Sequence, residues 1–209
     1  LVDRENENLL TVQLDTREDP AIPPFGFVID YLTYGGLYRE VWLEATAESR
    51  LTDLFVYTPT LQEAVVQWTA ELTPAAAAVR IRLETAEGTL LAEQTAQAAE
   101  TGKLQLSVPV AQPWDMEHPV LHHATAELLN AAGQPIDRRQ VTFGFRTAEF
   151  RADGFYLNGK KTFLRGLNRH QSYPYIGYAA PESLQREDAR ILREELHCTA
   201  VRTSHYPQS

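Results

Sequence analysis

Between Glu48 and Thr147 apolar and polar positions alternate in short runs: Leu51 to Tyr57, Val65 to Leu72, Val79 to Leu83, Leu90 to Thr95, Leu104 to Val110, Val120 to Leu129 and Val141 to Arg146. A period of two is that of a strand with one buried face. Ala86-Glu87-Gly88, Thr101-Gly102-Lys103 and Ala131-Ala132-Gly133-Gln134-Pro135 supply turn residues between them. Seven such runs predict an immunoglobulin-like sandwich over 48–148. Its core has to rest on aliphatic packing and Trp68, since no pair of cysteines lies in it.

Upstream, Leu10, Val12 and Leu14 alternate with polar residues as in a half-buried strand, but no partner strand precedes them. The stretch from Thr16 to Gly26 holds three prolines and suits neither a ladder nor a helix. Tyr34-Gly35-Gly36 allows a turn at positive φ, and Val41-Trp42-Leu43 predicts a closing strand. Asp15 and Asp19 read first as turn residues, because Asp beside proline bonds its own backbone.

Near Ala148 the pattern changes. Gly154 to Leu164 is two short runs around Asn158-Gly159, a two-residue hairpin signal. An apolar strand through Phe163 to Leu167 follows, then a helix starting near Pro181 with an apolar stripe of Leu184, Ile191, Leu192 and Leu196, then a strand from Thr199 to Thr203. Glu182, Glu187, Glu194 and Glu195 fall on or beside the polar face, as solvent-facing groups do. Strand, helix, strand in this order predicts a parallel βαβ unit, whose strand ends line the site of a barrel enzyme.

Both strand ends carry polar chemistry: Asn168-Arg169-His170 and Arg202-Thr203-Ser204-His205-Tyr206. Arg165-Gly166-Leu167-Asn168-Arg169-His170 followed by Ala200-Val201-Arg202-Thr203-Ser204-His205-Tyr206-Pro207 resembles glycoside hydrolase family 2. Tyr34-Gly35-Gly36-Leu37-Tyr38-Arg39-Glu40-Val41-Trp42-Leu43 is similar to the end of that family's amino-terminal domain. The resemblance implies a mainly β chain in three parts: 1–47, the end of a jelly-roll sugar-binding domain; 48–148, the immunoglobulin-like sandwich; and 149–209, the first βαβ of a (β/α)8 TIM barrel. A whole barrel takes about 250 residues. The chain is therefore expected to be a fragment lacking the two catalytic glutamates, inactive alone.

The resemblance further implies a retaining β-galactosidase acting by double displacement; a β-glucuronidase or β-mannosidase is the related alternative. Asn-Arg-His looks more like the galactosidase branch. His170 and His205 would contact sugar hydroxyls, Asn168 would bind the sugar and, with Arg169, orient these groups, and Asp19 would project toward the sugar. Arg202 would stand beside the nucleophilic glutamate and keep it ionised. Tyr173, Tyr175 and Tyr178 offer either an aromatic rim for a second sugar or ordinary loop packing. Magnesium or sodium is implied for the full-length enzyme, with no metal assigned here, and a homo-oligomer for its assembly.

Composition narrows the remaining classes. A formal charge of −9 argues against nucleic-acid or anionic-membrane partners, which need clustered Lys and Arg. No apolar run approaches the roughly 20 residues of a spanning helix. A cytoplasmic location is expected, although the chain begins mid-pattern at Leu1 and leaves a preceding leader open. The single cysteine, Cys198, excludes an internal disulfide and reads as an inert thiol. His122-His123 cannot chelate one ion together, because neighbours on a strand face opposite ways. A non-catalytic carbohydrate-binding or assembly module is the alternative from another class.

Overall fold

The computed structural model describes residues 6–17, 19, 21, 35–204, 206 and 208. It separates into two compact units, Glu44–Leu164 and a second made of Leu1–Leu43 with Arg165–Ser209.

In the first unit the seven alternating runs form seven strands: β1 Arg50–Thr60, β2 Glu63–Glu71, β3 Ala78–Thr85, β4 Leu90–Gln97, β5 Thr101–Ser107, β6 His122–Leu129 and β7 Pro135–Phe143. They make a three-stranded sheet ordered β1-β2-β5 and a four-stranded sheet ordered β4-β3-β6-β7. Every pairing is antiparallel; β1-β2, β3-β4 and β6-β7 are consecutive strands joined by short turns, which require it, whereas β2-β5 and β3-β6 join non-consecutive strands. The inward positions meet in one core: Leu54, Val66 and Trp68 from one sheet against Ile81, Leu83, Ala126 and Leu128 from the other. The outer face of the larger sheet carries Arg80 on Glu127 at 2.6 Å and Arg82 on Glu93, both cross-strand pairs, with Arg82 also meeting Glu84 two residues along its own strand.

β7 begins six residues earlier than the alternation predicts, at Pro135 rather than Val141. Asn130 explains it: its Oδ1 accepts the N–H groups of Ala132 and Gln134, and Gly133 takes φ 76°, so the turn closes at Gln134. Pro135 is tolerated there as the first residue of an edge strand.

The two histidines face apart as strand geometry demands. His123 Nδ1 lies 3.3 Å from the Thr142 hydroxyl, whereas His122 is buried with its ring edge-on to Phe145, centroids 5.0 Å apart. Burial holds the His122 imidazole below its ordinary pKa. The unfolded chain therefore binds a proton at a higher pH than the folded one, and stability falls as pH drops through about 6.5 toward the folded value. Denaturation midpoints at pH 7.5 and 5.5 should fall for the native chain and fall less for His122→Leu. Equal losses in the two proteins would free His122 of this role.

After the sandwich, Trp114 anchors the long loop: its N–H donates to Phe145 O at 2.9 Å, and the Arg146 guanidinium lies 4.7 Å from its ring centre. Gly144 is required beneath it, since an added Cβ would come within 2.6 Å of the Trp114 side chain. A small sheet follows, ordered β10-β9-β8, from β8 Ala148–Arg151, β9 Gly154–Leu157 and β10 Lys160–Lys161. Asn158 and Gly159 turn the hairpin at φ 52° and 74°, the positive pair that an Asn-Gly turn provides.

In the second unit β11 Gly166–Arg169 and β12 Ala200–Thr203 lie parallel, joined by α1 Glu182–Arg190, which runs on into a π-helical turn over Ile191–Glu195. Pro181 precedes the first turn and exposed Glu182 lies in it. The polar face is laced by Arg186 on Glu182 and by Arg190 on Glu187, Glu194 and Glu195. Two expected strands, one read from alternation and one from strand-favouring residue types, are not formed. Leu10, Val12 and Leu14, and Val41, Trp42 and Leu43, are exposed without ladder partners among the described residues, and a strand is made only by pairing. Among the described residues no helix is long and apolar enough to cross a membrane.

Candidate functional site

Close approach of β11 and β12 sets the site. Gly166 faces Ala200, where a Cβ would fall 2.2 Å from the Ala200 carbonyl oxygen, so only glycine lets the strands meet. Arg165 N donates to Thr199 Oγ1 at 2.9 Å, and the Thr199 and Ala200 N–H groups donate to Arg165 O. The parallel register then pairs Leu167 with Val201, Asn168 with Arg202 and Arg169 with Thr203.

Alternation splits these residues between two faces. Arg169 turns to the helix: its Nε donates to Asp188 Oδ2 at 2.8 Å and its Nη2 to Gln185 Oε1 at 2.5 Å. With Gln185, Leu192, Cys198 and Ala200 it lines a cavity of about 330 Å³. Cys198 is half-buried there, with a free thiol. Asn168 and Arg202 stand side by side on the opposite face, both exposed. Neither side chain has a hydrogen-bonded partner among the described residues, so an amide and a guanidinium remain uncommitted at neighbouring strand ends.

His170 lies just past β11 on the same alternation as Asn168, exposed, with its ring 4.9 Å from that of Tyr206. Tyr206 is buried; it stacks on Tyr178 at 5.5 Å and 9° and donates its hydroxyl to Arg169 O at 2.7 Å. Tyr178 and Tyr173 are thus packing residues of the loop, and Tyr175 is the fully exposed one. Of the other expected site residues, His205 lies outside the described residues. Asp19 accepts the Ala21 N–H at 2.8 Å, the local turn bond foreseen for it, and has no other hydrogen-bonded partner among the described residues. Arg39, whose Nη1 donates to Gln208 O at 2.8 Å, ties the amino-terminal segment to the chain just beyond β12.

Sequence reasoning passed over Asp188, Gln185 and the tethering role of Tyr173. One signal was present: Leu184, Asp188 and Ile191 follow helical spacing, so a carboxylate interrupts the apolar stripe, and a charge in that place calls for a partner.

A seven-stranded sandwich followed in the chain by a parallel βαβ, with polar groups gathered past the strand ends, is the arrangement expected of a sandwich domain that precedes the first unit of a parallel barrel. Residues 49–146 match the family "Glycosyl hydrolases family 2", and residues 148–209 match "Glycosyl hydrolases family 2, TIM barrel domain". The chain belongs to glycoside hydrolase family 2. It is 39% identical over 212 residues to the β-galactosidase of Thermoanaerobacter pseudethanolicus, an alignment covering 97% of this chain and 28% of that protein. The apo structure of Bacteroides uniformis β-glucuronidase 3 superposes with a TM-score of 0.80 at 27% identity, over 94% of this chain and 25% of that one. The β-glucuronidase of Bifidobacterium dentium, complexed with coumarin-3-O-glucuronide, gives 0.66 at 28% identity, over 77% and 28%. The chain spans less than a third of the length of these relatives.

Proposed function

We propose that the whole protein is a retaining β-galactosidase to which this chain contributes part of the wall of the sugar site. The observation that carries the reading is the pairing of uncommitted Asn168 and Arg202 at the carboxyl ends of parallel strands, with His170 beside them. An oxocarbenium-like transition state is stabilised by hydrogen bonds to ring hydroxyls that tighten as charge develops. An amide and an imidazole can make such bonds. The guanidinium can keep a neighbouring nucleophilic carboxylate ionised. The two carboxyl groups of the double displacement would come from elsewhere in the whole protein. His205 and Asp19 join the proposal from the resemblance.

Identity to a β-galactosidase at 39% favours a neutral sugar. The β-glucuronidase reading is supported by the structural likeness at a TM-score of 0.80. Magnesium or sodium stays an expectation for the whole protein; among the described residues no group of three or more His, Cys, Asp or Glu could hold a metal ion. Initial rates of the whole enzyme on 4-nitrophenyl β-galactoside and β-glucuronide decide between the sugars, and proton NMR of the first-formed product decides the stereochemistry. Preference for the galactoside with β-galactose released first is expected; preference for the glucuronide, or α-product, would overturn the reading.

A further inference from the structure

The loop from His170 to Pro181 is tied to α1 by a network centred on Asp188. One carboxylate oxygen, Oδ2, accepts from Arg169 Nε at 2.8 Å and lies 2.6 Å from Nη2 as an ion pair. The other, Oδ1, receives the Tyr173 hydroxyl, whose single proton also faces Leu184 O at 2.9 Å. Burial and the adjacent Asp188 carboxylate raise the Tyr173 pKa, so the hydroxyl keeps the proton it donates. The Arg169 and Asp188 side chains are largely sheltered, 17% and 25% exposed, which screens the pair far less than the surface pairs of the polar face. Tyr173 also closes its own loop, exchanging backbone bonds with Gly177 at 3.1 and 2.9 Å.

We infer that Asp188 is a positioning residue for His170, acting through Arg169 on one side and Tyr173 on the other. His170 follows Arg169 directly and precedes Tyr173 by three residues. The side chain before it and the side chain after it are therefore fastened to one carboxylate on a rigid helix, and the Arg169 carbonyl is held separately by Tyr206. A side chain at a strand end on a loop is accurate only if its support is fixed, and a displacement of about 1 Å can cost about 100-fold in rate. This assignment rests on the reading of His170 as part of the sugar wall.

The test is a double-mutant cycle in the whole enzyme on an aryl β-galactoside. Asp188→Ala should lower kcat/KM by about 10- to 100-fold in the native background, mainly through kcat. With His170→Ala already present, the same change should cost less than about threefold, since there is no imidazole left to misplace. Tyr173→Phe, which removes one hydroxyl and leaves the helix intact, should show the same pattern at about 3- to 10-fold and covers the case in which Asp188→Ala does not fold. Equal losses in both backgrounds, or no loss from either variant, would overturn the positioning role. A His170→Ala enzyme with native kcat/KM would overturn the sugar-wall reading itself and the inference with it. That outcome is distinct from additivity with an impaired His170→Ala.

Discussion

Replacing Arg202 with methionine in the whole enzyme is expected to lower kcat by about 100- to 1,000-fold, the cost typical of removing one electrostatic stabiliser from a water-excluded site. Methionine keeps much of the arginine's length and apolar volume and loses its charge. Arg202→Lys keeps a cation without the planar fork and should fall between the two. The pH profile separates charge from packing. A guanidinium beside the nucleophile lowers the pKa of that carboxylate, so its removal raises the pKa and moves the acid limb of kcat/KM to higher pH. Rates and an acid limb identical for the methionine and lysine variants would detach Arg202 from the nucleophile. The present geometry supports the role in one respect: Arg202 pairs with Asn168 on the face away from Arg169 and has no partner among the described residues.

His170→Ala is expected to lower kcat/KM by about 5- to 150-fold, the equivalent of the roughly 1–3 kcal/mol lost when a hydrogen-bonded partner is left unsatisfied. Ground-state binding should suffer less, because the bond strengthens as the sugar ring gains charge. The inhibition constant of a non-hydrolysed thiogalactoside measures ground-state binding directly. A native kcat with only a raised KM would make His170 an ordinary binding residue. The ring contact with Tyr206 gives the imidazole a support that alanine leaves in place, so the variant should remain folded.

The fold of the sandwich was legible because its strands bury one face each. Val79, Ile81 and Leu83 alternate with Arg80 and Arg82, and the structure buries the first set and pairs the second with carboxylates. The Asn158-Gly159 hairpin was legible for a local reason, since few other dipeptides take two positive φ angles in succession. Leu10 to Leu14 shows where a local pattern misleads: alternation marks a strand only if a partner strand supplies the ladder. At the site, the strand-end residues were visible as motifs, whereas the clamp beneath them was not. Arg169 and Asp188 are 19 positions apart, and nothing short of the parallel register shows that Arg169 leaves the Asn168 face and turns to the helix.

A crystal structure of the whole enzyme holding a galactoside would show which side chains meet the sugar at the ends of β11 and β12. Asn168 and His170 are expected within about 2.6–3.2 Å of sugar hydroxyls, with Arg202 against a glutamate from a later strand and Arg169 still bonded to Asp188. A galactoside bound away from the ends of β11 and β12, or Arg169 turned to meet the sugar while Asn168 and His170 stand clear of it, would contradict the sugar-wall reading.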